Sequence, residues 1–255
     1  MTNAIFPDLD GASVFITGGG SGIGAALTDG FLGQGAKVAF VQRSDASAFV
    51  AEMEAKHGRA PLFLRCDITD VAALRAAVDH AADAHGPVLH LINNAANDQR
   101  HASLDVDEAY WDRMQAINLK AYFFAAQAVL PGMQAAGRGA IVNFSSISYM
   151  MGMAGMTGYT TANGGITAMT RSLAREFGPD GVRINALAPG WVMTDKQREL
   201  WVTPEALAAM LDKQCLKREI QPEDIVGPVL FLSSDAGAMM TGQVMVVDGG
   251  VVVTG

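Results

Sequence analysis

A glycine-rich segment, TGGGSGIG at residues 17–24, joins a short apolar run at residues 12–16 to a stretch with helical spacing. Gly18 permits a tight turn, Gly22 lets the backbone approach a pyrophosphate, and Gly24 lets helix and strand pack closely. The segment therefore predicts a strand, a turn and a helix whose N-terminus binds phosphate. A glycine-rich turn without a ligand is the alternative interpretation.

The same order of strand and helix continues along the chain. Further strands are predicted at residues 37–41, 62–66, 88–93, 140–144, 183–187 and 243–247. Helices are predicted at residues 25–34, 46–57, 71–85, 107–136, 159–177 and 222–233. This alternation predicts an α/β fold: a single doubly wound, Rossmann-like parallel sheet with helices on both faces, formed by residues 1–255.

One connection is too long for an ordinary loop. About thirty residues separate the sixth predicted strand from the next helix, whereas loops between strands and helices usually have 2–6 residues. We therefore expect a substrate lid at about residues 190–220 with helices of its own.

Composition excludes several classes of protein. Half of the 255 residues are apolar, 17% are charged and the formal net charge is −8. A packed globule is expected, and nucleic acid or an anionic membrane is not expected as a partner. Two cysteines, the lack of a basic leader and the lack of an apolar run of roughly 20 residues favour a cytoplasmic protein without disulfides.

The residues after the second and third strands bear on the choice of cofactor. Gln42 and Arg43 stand where a carboxylate would bind the ribose hydroxyl groups of NAD. Arg43 can pair with a 2′-phosphate, so the cofactor is NAD or NADP, with a lean towards NADP or dual use; Arg43 pointing into solvent is the alternative. Asp67 is a candidate contact for the adenine edge, and a helix N-cap is its other interpretation.

Polar residues follow three neighbouring strands. Asn93 ends the fourth strand, Ser146 follows the fifth, and the Pro189-Gly190 pair follows the sixth. Tyr159 lies thirteen residues after Ser146. All are expected at the carboxyl edge of the sheet, where ligands bind in this architecture.

These motifs, together with NNAA at residues 93–96 and VDGG at residues 247–250, resemble the short-chain dehydrogenase/reductase family over residues 11–250. The resemblance implies that Tyr159 is the general acid/base, that Ser146 binds the substrate oxygen, and that Asn118 holds a helix kink and a proton-relay water. It also implies a homotetramer packed through helices at residues 121–129 and 166–173. The implied cofactor contacts are Gly18, Gly20, Ser21, Gly22, Ile23, Gly24, Gln42, Arg43, Asp67, Ile68, Asn93, Ala95, Tyr159, Pro189, Gly190, Val192 and Thr194.

The chain departs from the family pattern at Asn163, where such proteins carry a lysine one helical turn after the tyrosine. A phenol has a pKa of about 10, and a nearby cation lowers it so that the phenol can act as a base. Asparagine is neutral, so we expect impaired activity. Asn163 is either an engineered or accidental substitution in an otherwise intact enzyme, or a feature of a natural member that works without the lysine or has lost catalysis.

Local strings resemble bacterial aldose 1-dehydrogenases of this family, which oxidise the anomeric hydroxyl group to a lactone. These strings are NDQRH at residues 97–101, AYWD at 109–112 and QCLKREIQPEDI at 214–225. The implied substrate contacts are Asn97, Ser146, Tyr159 and Trp191. The loop residues Asn97, Asp98 and Arg100 either face the pocket mouth or lie in solvent.

Several other residues leave alternatives open. Lys196, Gln197 and Arg198 either close over a ligand or remain in solvent, with solvent slightly favoured. The methionines of residues 150–156 either form a pocket wall or, as is more usual, pack in the core or between subunits. No histidine falls in a metal-ligand pattern, so no metal is expected.

Two other functions remain open at this stage. One is an NADP-dependent reductase of ketones or oxoacyl thioesters, which a very apolar lid would favour. The other is a catalytically silent cofactor-binding protein, for which Asn163 is the support. The charged character of residues 194–219 favours a small polar substrate instead.

Overall fold

A computed structural model of the protein describes residues 4–253. Its centre is a seven-stranded sheet in the order β3-β2-β1-β4-β5-β6-β7, and every neighbouring pair is parallel. The strands are β1 (Ser13–Thr17), β2 (Lys37–Gln42), β3 (Leu62–Arg65), β4 (His90–Asn93), β5 (Gly139–Phe144), β6 (Val182–Pro189) and β7 (Val244–Val247). The predicted doubly wound parallel sheet is confirmed.

Ten α-helices within the described residues connect and cover these strands. They are α1 (Gly22–Gly33), α2 (Ser47–His57), α3 (Val71–His85), α4 (Glu108–Gln115), α5 (Ala121–Ala136), α6 (Ile147–Met150), α7 (Thr157–Phe177), α8 (Asp195–Leu200), α9 (Pro204–Lys213) and α10 (Pro222–Ser233). Short 3-10 turns occur at Pro7–Leu9, Ser103–Asp105, Gly178–Asp180 and Asp235–Gly237.

The core is divided between the two faces of the sheet. On one face, α1 packs on α10, and buried side chains such as Phe31, Phe40 and Val229 form an apolar cluster. On the other face, α3 packs on α5, and the cluster includes Leu74 and Ile141. Because the central strands are covered on both faces, they read as nearly continuous apolar runs.

The largest difference from the sequence-based prediction lies in the helical stretch predicted at residues 107–136. A π-helical turn, Ala116–Lys120, divides it into α4 and α5. A π turn carries one extra residue per turn and bends the helix. The short helix α6 was also missed, and it begins where the Ser146 hydroxyl accepts a hydrogen bond from the Ser148 N–H.

Within residues 4–253, no helix is long and apolar enough to cross a membrane. The same residues contain no group of three or more His, Cys, Asp or Glu side chains that could hold a metal ion. The segment predicted as a lid contains α8 and α9.

Candidate active site

A cavity of about 740 Å³ opens at the carboxyl ends of the strands. Its walls come from the residues that follow β1, β2, β3, β4, β5 and β6, and from α8 and α9. This is the edge of the sheet at which the sequence placed the candidate residues. The volume lies in the range usual for pockets that bind small molecules and cofactors.

The glycine-rich turn forms one end of the cavity. Gly18 and Gly22 have positive φ angles of 71° and 53°, which side chains with a Cβ atom rarely adopt. A Cβ atom on Gly24 would collide with the Gly18 carbonyl oxygen, so this glycine is needed for close packing. This turn therefore requires glycine at all three of these positions.

The N-terminus of α1 has donors that the protein does not use. Ser21 is the N-cap residue, and its side chain makes no capping hydrogen bond. Ser21, Gly22 and Gly24 all line the cavity. Because the first N–H groups of a helix lack partners within the helix and carry partial positive charge, this end fits the pyrophosphate of a dinucleotide.

Two residues that the sequence analysis gave no role hold the turn in place. The Thr17 hydroxyl accepts hydrogen bonds from the N–H groups of Asn94 and Ala95, at 3.0 and 3.1 Å. The Asn94 amide donates to the carbonyls of Thr17 and Gly18. The signal that could have identified this contact was a polar residue at the end of β1 and another directly after β4, since these strands are neighbours in the sheet.

The residues after β2 form the region beside the turn. The Gln42 Oε1 atom accepts a hydrogen bond of 3.1 Å from the Gly20 N–H, so Gln42 supports the turn. The Arg43 side chain is 73% exposed, and its Nη1 atom lies 4.0 Å from Asp67 Oδ2. Both Arg43 and Asp67 line the cavity.

Asp67 does not cap the following helix, which was its alternative interpretation. Its Oδ1 atom accepts hydrogen bonds from the N–H and the hydroxyl group of Thr69. The N-cap of α3 is Asp70, whose side chain accepts from Ala72 and Ala73. The other carboxylate oxygen of Asp67, Oδ2, lies near Arg43, and both residues line the cavity.

Tyr159 and Ser146 both line the cavity, and their hydroxyl groups are hydrogen-bonded to each other. Burial raises the pKa of the Tyr159 phenol to about 12, and the negative charge of Asp98 contributes to the rise. Hydrogen bonding by Ser146 and Asn163 opposes this shift to a smaller extent. The phenol is therefore protonated at neutral pH in this arrangement.

Asn163 is buried on α7 and does not line the cavity; only 2% of its surface is exposed. Its Nδ2 atom donates a 2.8 Å hydrogen bond to the backbone carbonyl of Tyr159, one helical turn earlier. Its own carbonyl oxygen accepts a hydrogen bond from the Ser145 hydroxyl. The side chain is thus engaged with the backbone and carries no charge that could lower the pKa of the phenol.

Asn118 lies in the π turn and is 1% exposed. Its amide group donates to the carbonyls of Met114 and Asn97, and its Oδ1 atom accepts from the Asn97 N–H at 2.8 Å. The side chain therefore fastens the irregular helix to the loop after β4. The expected position of Asn118 at a helix kink agrees with this geometry.

A chain of hydrogen bonds crosses the cavity. The Lys196 ammonium lies 2.7 Å from Asp98 Oδ1, and Gln197 Nε2 donates to Asp98 Oδ2 at 2.6 Å. The Trp191 indole N–H donates to Gln197 Oε1 at 2.8 Å. These residues line the cavity, as the alternative of a segment that closes over a ligand expects, although the Lys196 side chain remains 52% exposed to solvent. Arg198 instead pairs with Glu219.

Five of the implied site residues do not line the cavity: Gly20, Asn93, Asn97, Asn118 and Asn163. Asn93 is fully buried, and its amide donates to Asn143 and to the Tyr122 carbonyl. Asn97 accepts a hydrogen bond from the Gln99 N–H. The Asn93 and Asn97 side chains therefore support neighbouring backbone and core groups instead of lining the cavity.

Some wall residues were not selected from the sequence. Met151, Met153 and Met156 line the cavity, although core or subunit packing was the favoured interpretation of these methionines. Helix α9 adds further wall residues, which are Ala206, Ala209, Met210 and Lys213. The methionine-rich string itself was the available signal, because flexible thioethers often line adaptable pockets.

The chain is similar to known dehydrogenases over nearly its whole length. The chain is 49% identical over 253 residues to the "Probable galactose dehydrogenase GalD" of Rhizobium meliloti, covering 98% of this chain and 99% of that protein. It is 45% identical over 251 residues to the D-xylose 1-dehydrogenase of Caulobacter vibrioides, covering 98% and 99% of the two chains.

A crystal structure from Sinorhizobium meliloti 1021, of a protein named after short-chain alcohol dehydrogenases, superposes with a TM-score of 0.91. The two chains are 35% identical, and 96% of this chain and 98% of the other are covered. A family model described as "Enoyl-(Acyl carrier protein) reductase" matches residues 18–252. The resemblance drawn from the motifs is thereby confirmed: this chain is an oxidoreductase and belongs to the short-chain dehydrogenase/reductase family.

Proposed function

We propose that the protein is an aldose dehydrogenase that oxidises the anomeric hydroxyl group of a small neutral sugar to a lactone, with NAD or NADP as the oxidant. The observation that carries this proposal is that Tyr159 and Ser146 share one cavity with the uncapped N-terminus of α1. The names of the galactose and xylose dehydrogenases support a sugar as the substrate.

The reaction removes a proton from the hydroxyl oxygen and a hydride from the carbon that bears it. When bound, the nicotinamide supplies the hydride acceptor. Tyr159, as phenolate, takes the hydroxyl proton, and Ser146 hydrogen-bonds the same substrate oxygen. Both groups come from the carboxyl edge of the sheet, so they act on a substrate held in the common cavity.

The turn between β1 and α1 would hold the pyrophosphate. Arg43 and Ser44 line the region after β2, and they fit a ribose that carries a 2′-phosphate better than a carboxylate would. Asp67 lies 4.0 Å from the Arg43 guanidinium and weakens this attraction. These opposing charges favour dual use of NAD and NADP, with a lean towards NADP.

The walls near Tyr159 suit a polyhydroxylated substrate. Asp98, Lys196 and Gln197 place charged and amide groups there, and a pocket built from such groups rejects ligands that leave them unpaired. A ketone or oxoacyl reductase would need a more apolar surface at this position. Although Met151, Met153 and Met156 add an apolar wall, the charged and amide groups favour the sugar over the reductase alternative.

Asn163 limits the rate of this reaction, because a phenol with a pKa of about 12 is rarely ionised near neutral pH. The same observation supports a second candidate, a catalytically silent protein that binds the dinucleotide. The intact Ser146 favours the enzyme, since its implied role is to bind the substrate oxygen, which cofactor binding alone does not require.

The two candidates are separated by a panel of aldoses, including D-galactose and D-xylose, assayed with NAD and with NADP. The assay follows reduced nicotinamide, and it is run on the protein and on its Asn163→Lys variant. We expect lactone formation by both, faster in the variant. Cofactor binding without oxidation of any aldose by either protein would contradict the proposed enzyme and leave the silent candidate.

A further inference from the structure

The chain of polar contacts across the cavity lies beside the reacting groups. Asp98 and Tyr159 both line the cavity, and the charge of Asp98 acts on the Tyr159 phenol. Asp98 follows β4, whereas Lys196 and Gln197 belong to α8, which follows β6. The contacts therefore join the segments that follow two different strands at the wall of the cavity.

The Asp98 side chain is fixed in place but retains room for a further partner. Only 24% of its surface is exposed, and each of its oxygens receives one donor, from Lys196 at 2.7 Å and from Gln197 at 2.6 Å. A carboxylate has about four acceptor sites, so two remain after these contacts. The carboxylate can therefore accept hydrogen bonds from a ligand without losing its present partners.

The orientation of Gln197 is set by a third residue. Its Oε1 atom accepts the Trp191 indole N–H, so its Nε2 atom must point at Asp98. Trp191 also lines the cavity. The amide is thus held from both ends, and Asp98 is held by an oriented donor as well as by a flexible lysine.

The charge of Asp98 persists at neutral pH. Burial acts to raise the pKa of the carboxyl group, but the hydrogen bond and charge of Lys196, with help from Gln197, bring it below the usual value. A negative charge in this position attracts hydroxyl donors and repels an anionic ligand. The Lys196 ammonium, 2.7 Å away, and the Arg100 and Lys213 side chains of the cavity wall act in the opposite sense, so the Asp98 charge decides the preference only where a ligand contacts its carboxylate.

From these contacts we infer that Asp98 is a specificity-determining residue: its carboxylate, held by Lys196 and Gln197, accepts a hydrogen bond from a substrate hydroxyl group and selects neutral sugars over sugar acids. This inference rests on the proposed function, and it names the charge class of the substrate at the same site. The alternative is that the contacts only close α8 over the cavity.

The test compares the binding of D-galactose and D-galacturonate, which share a ring but differ in a carboxylate. Dissociation constants are measured by tryptophan fluorescence with saturating reduced cofactor, which cannot accept a hydride from the sugar, since Trp191 lines the cavity. The readout does not depend on turnover. The protein is expected to bind galactose more tightly than galacturonate.

Asp98→Asn keeps the shape but removes the charge. We expect the preference for galactose over galacturonate to fall by about tenfold or more, because galactose loses a charge-assisted hydrogen bond and the acid is no longer repelled. Lys196→Gln leaves the carboxylate without its cation, so the preference is expected to rise. If the contacts only closed α8 over the cavity, the two variants would not shift the preference for galactose in opposite directions.

Arg198→Gln is the matched control, because it removes one positive charge from the same helix, where Arg198 pairs with Glu219. It should leave the preference unchanged. If Asp98→Asn weakens both sugars by the same factor, or if Lys196→Gln does not raise the preference, the inference is overturned while the proposed function stands. If the protein and its Asn163→Lys variant bind neither sugar, the proposed function fails and takes the inference with it.

Discussion

Asn163 donates its side-chain amide to the backbone carbonyl of Tyr159, at 2.8 Å, instead of offering a charge to the phenol. This contact closes one turn of α7 and leaves the phenol in a buried environment where its pKa is raised to about 12. The most informative position for substitution is therefore not the tyrosine but the residue one turn after it.

Replacing Asn163 by lysine should raise the rate of alcohol oxidation by about 10²–10⁴-fold, the usual contribution of general base catalysis. The ammonium group lies on the same helical face as Tyr159 and favours the phenolate. Steady-state rates at saturating cofactor provide the measurement.

Asn163→Met is the matched control, since methionine is similar in length to lysine and carries no charge. The rate of this variant should not exceed that of the unaltered protein. An equal rate in the lysine variant and in the protein would show that the base at Tyr159 is activated by another group.

The pH profile follows from the direction of the Tyr159 shift. Burial, with the Asp98 charge, raises the pKa of this acid to about 12, so the phenolate fraction rises tenfold per pH unit below that value. The logarithm of kcat/KM for sugar oxidation should therefore rise with a slope near one up to about pH 10, without a plateau. In the Asn163→Lys variant the plateau should begin at a lower pH. A plateau near neutral pH in the unaltered protein would be incompatible with this assignment.

Asn118→Ala should lower the free energy of unfolding by about 1–3 kcal/mol, because it leaves the Asn97 N–H and the Asn97 and Met114 carbonyls without their buried partner. Denaturant unfolding measures the change. Glu52→Ala, at an exposed position of α2, serves as control and should stay within about 0.5 kcal/mol of the protein. A neutral Asn118→Ala would mean that the π turn is held without this side chain.

The buried position of His90 leads us to expect a loss of stability in mild acid. Burial, with the nearby Arg183 charge, lowers the pKa of its imidazole from 6.5 to about 4. The unfolded chain therefore binds a proton first as the pH falls. The contribution to stability is complete above about pH 6.5 and is lost as the pH falls towards 4, amounting to about 3 kcal/mol.

The measurement compares unfolding free energies at pH 7 and at about pH 4.5 for the protein and for His90→Gln, in which this slope should be reduced. His80→Gln, at an exposed position on α3, should leave the slope unchanged. The prediction fails if both variants show the slope of the unaltered protein.

Most of the fold could be predicted because strand and helix alternate with clear turn signals. The break at Ala116–Lys120 could not be predicted from local propensity, since it depends on contacts between Asn118 and a loop that lies 21 positions earlier. Helical periodicity continues across the break, so the sequence alone reads as one long helix.

The candidate site could be predicted where a local motif fixes the position of a residue after a strand, as at Gly22, Ser146 and Tyr159. It could not be predicted where the structure depends on pairing between distant segments. Asp98 and Lys196 are 98 positions apart, and neither segment signals the other. Asn93 was misplaced because the last residue of β4 points into the core, while its neighbour Asn94 reaches the turn.

The π turn also fixes how the two parts of the interrupted helix are phased. A π turn needs about one residue more than an α turn to complete its rotation, so it absorbs the surplus residue without rotating the helix beyond it. Deleting a single residue between Ala116 and Lys120 should therefore convert the π turn into an ordinary α turn, which leaves Tyr122, Ala125 and Val129 buried but removes the wide turn that carries Asn118.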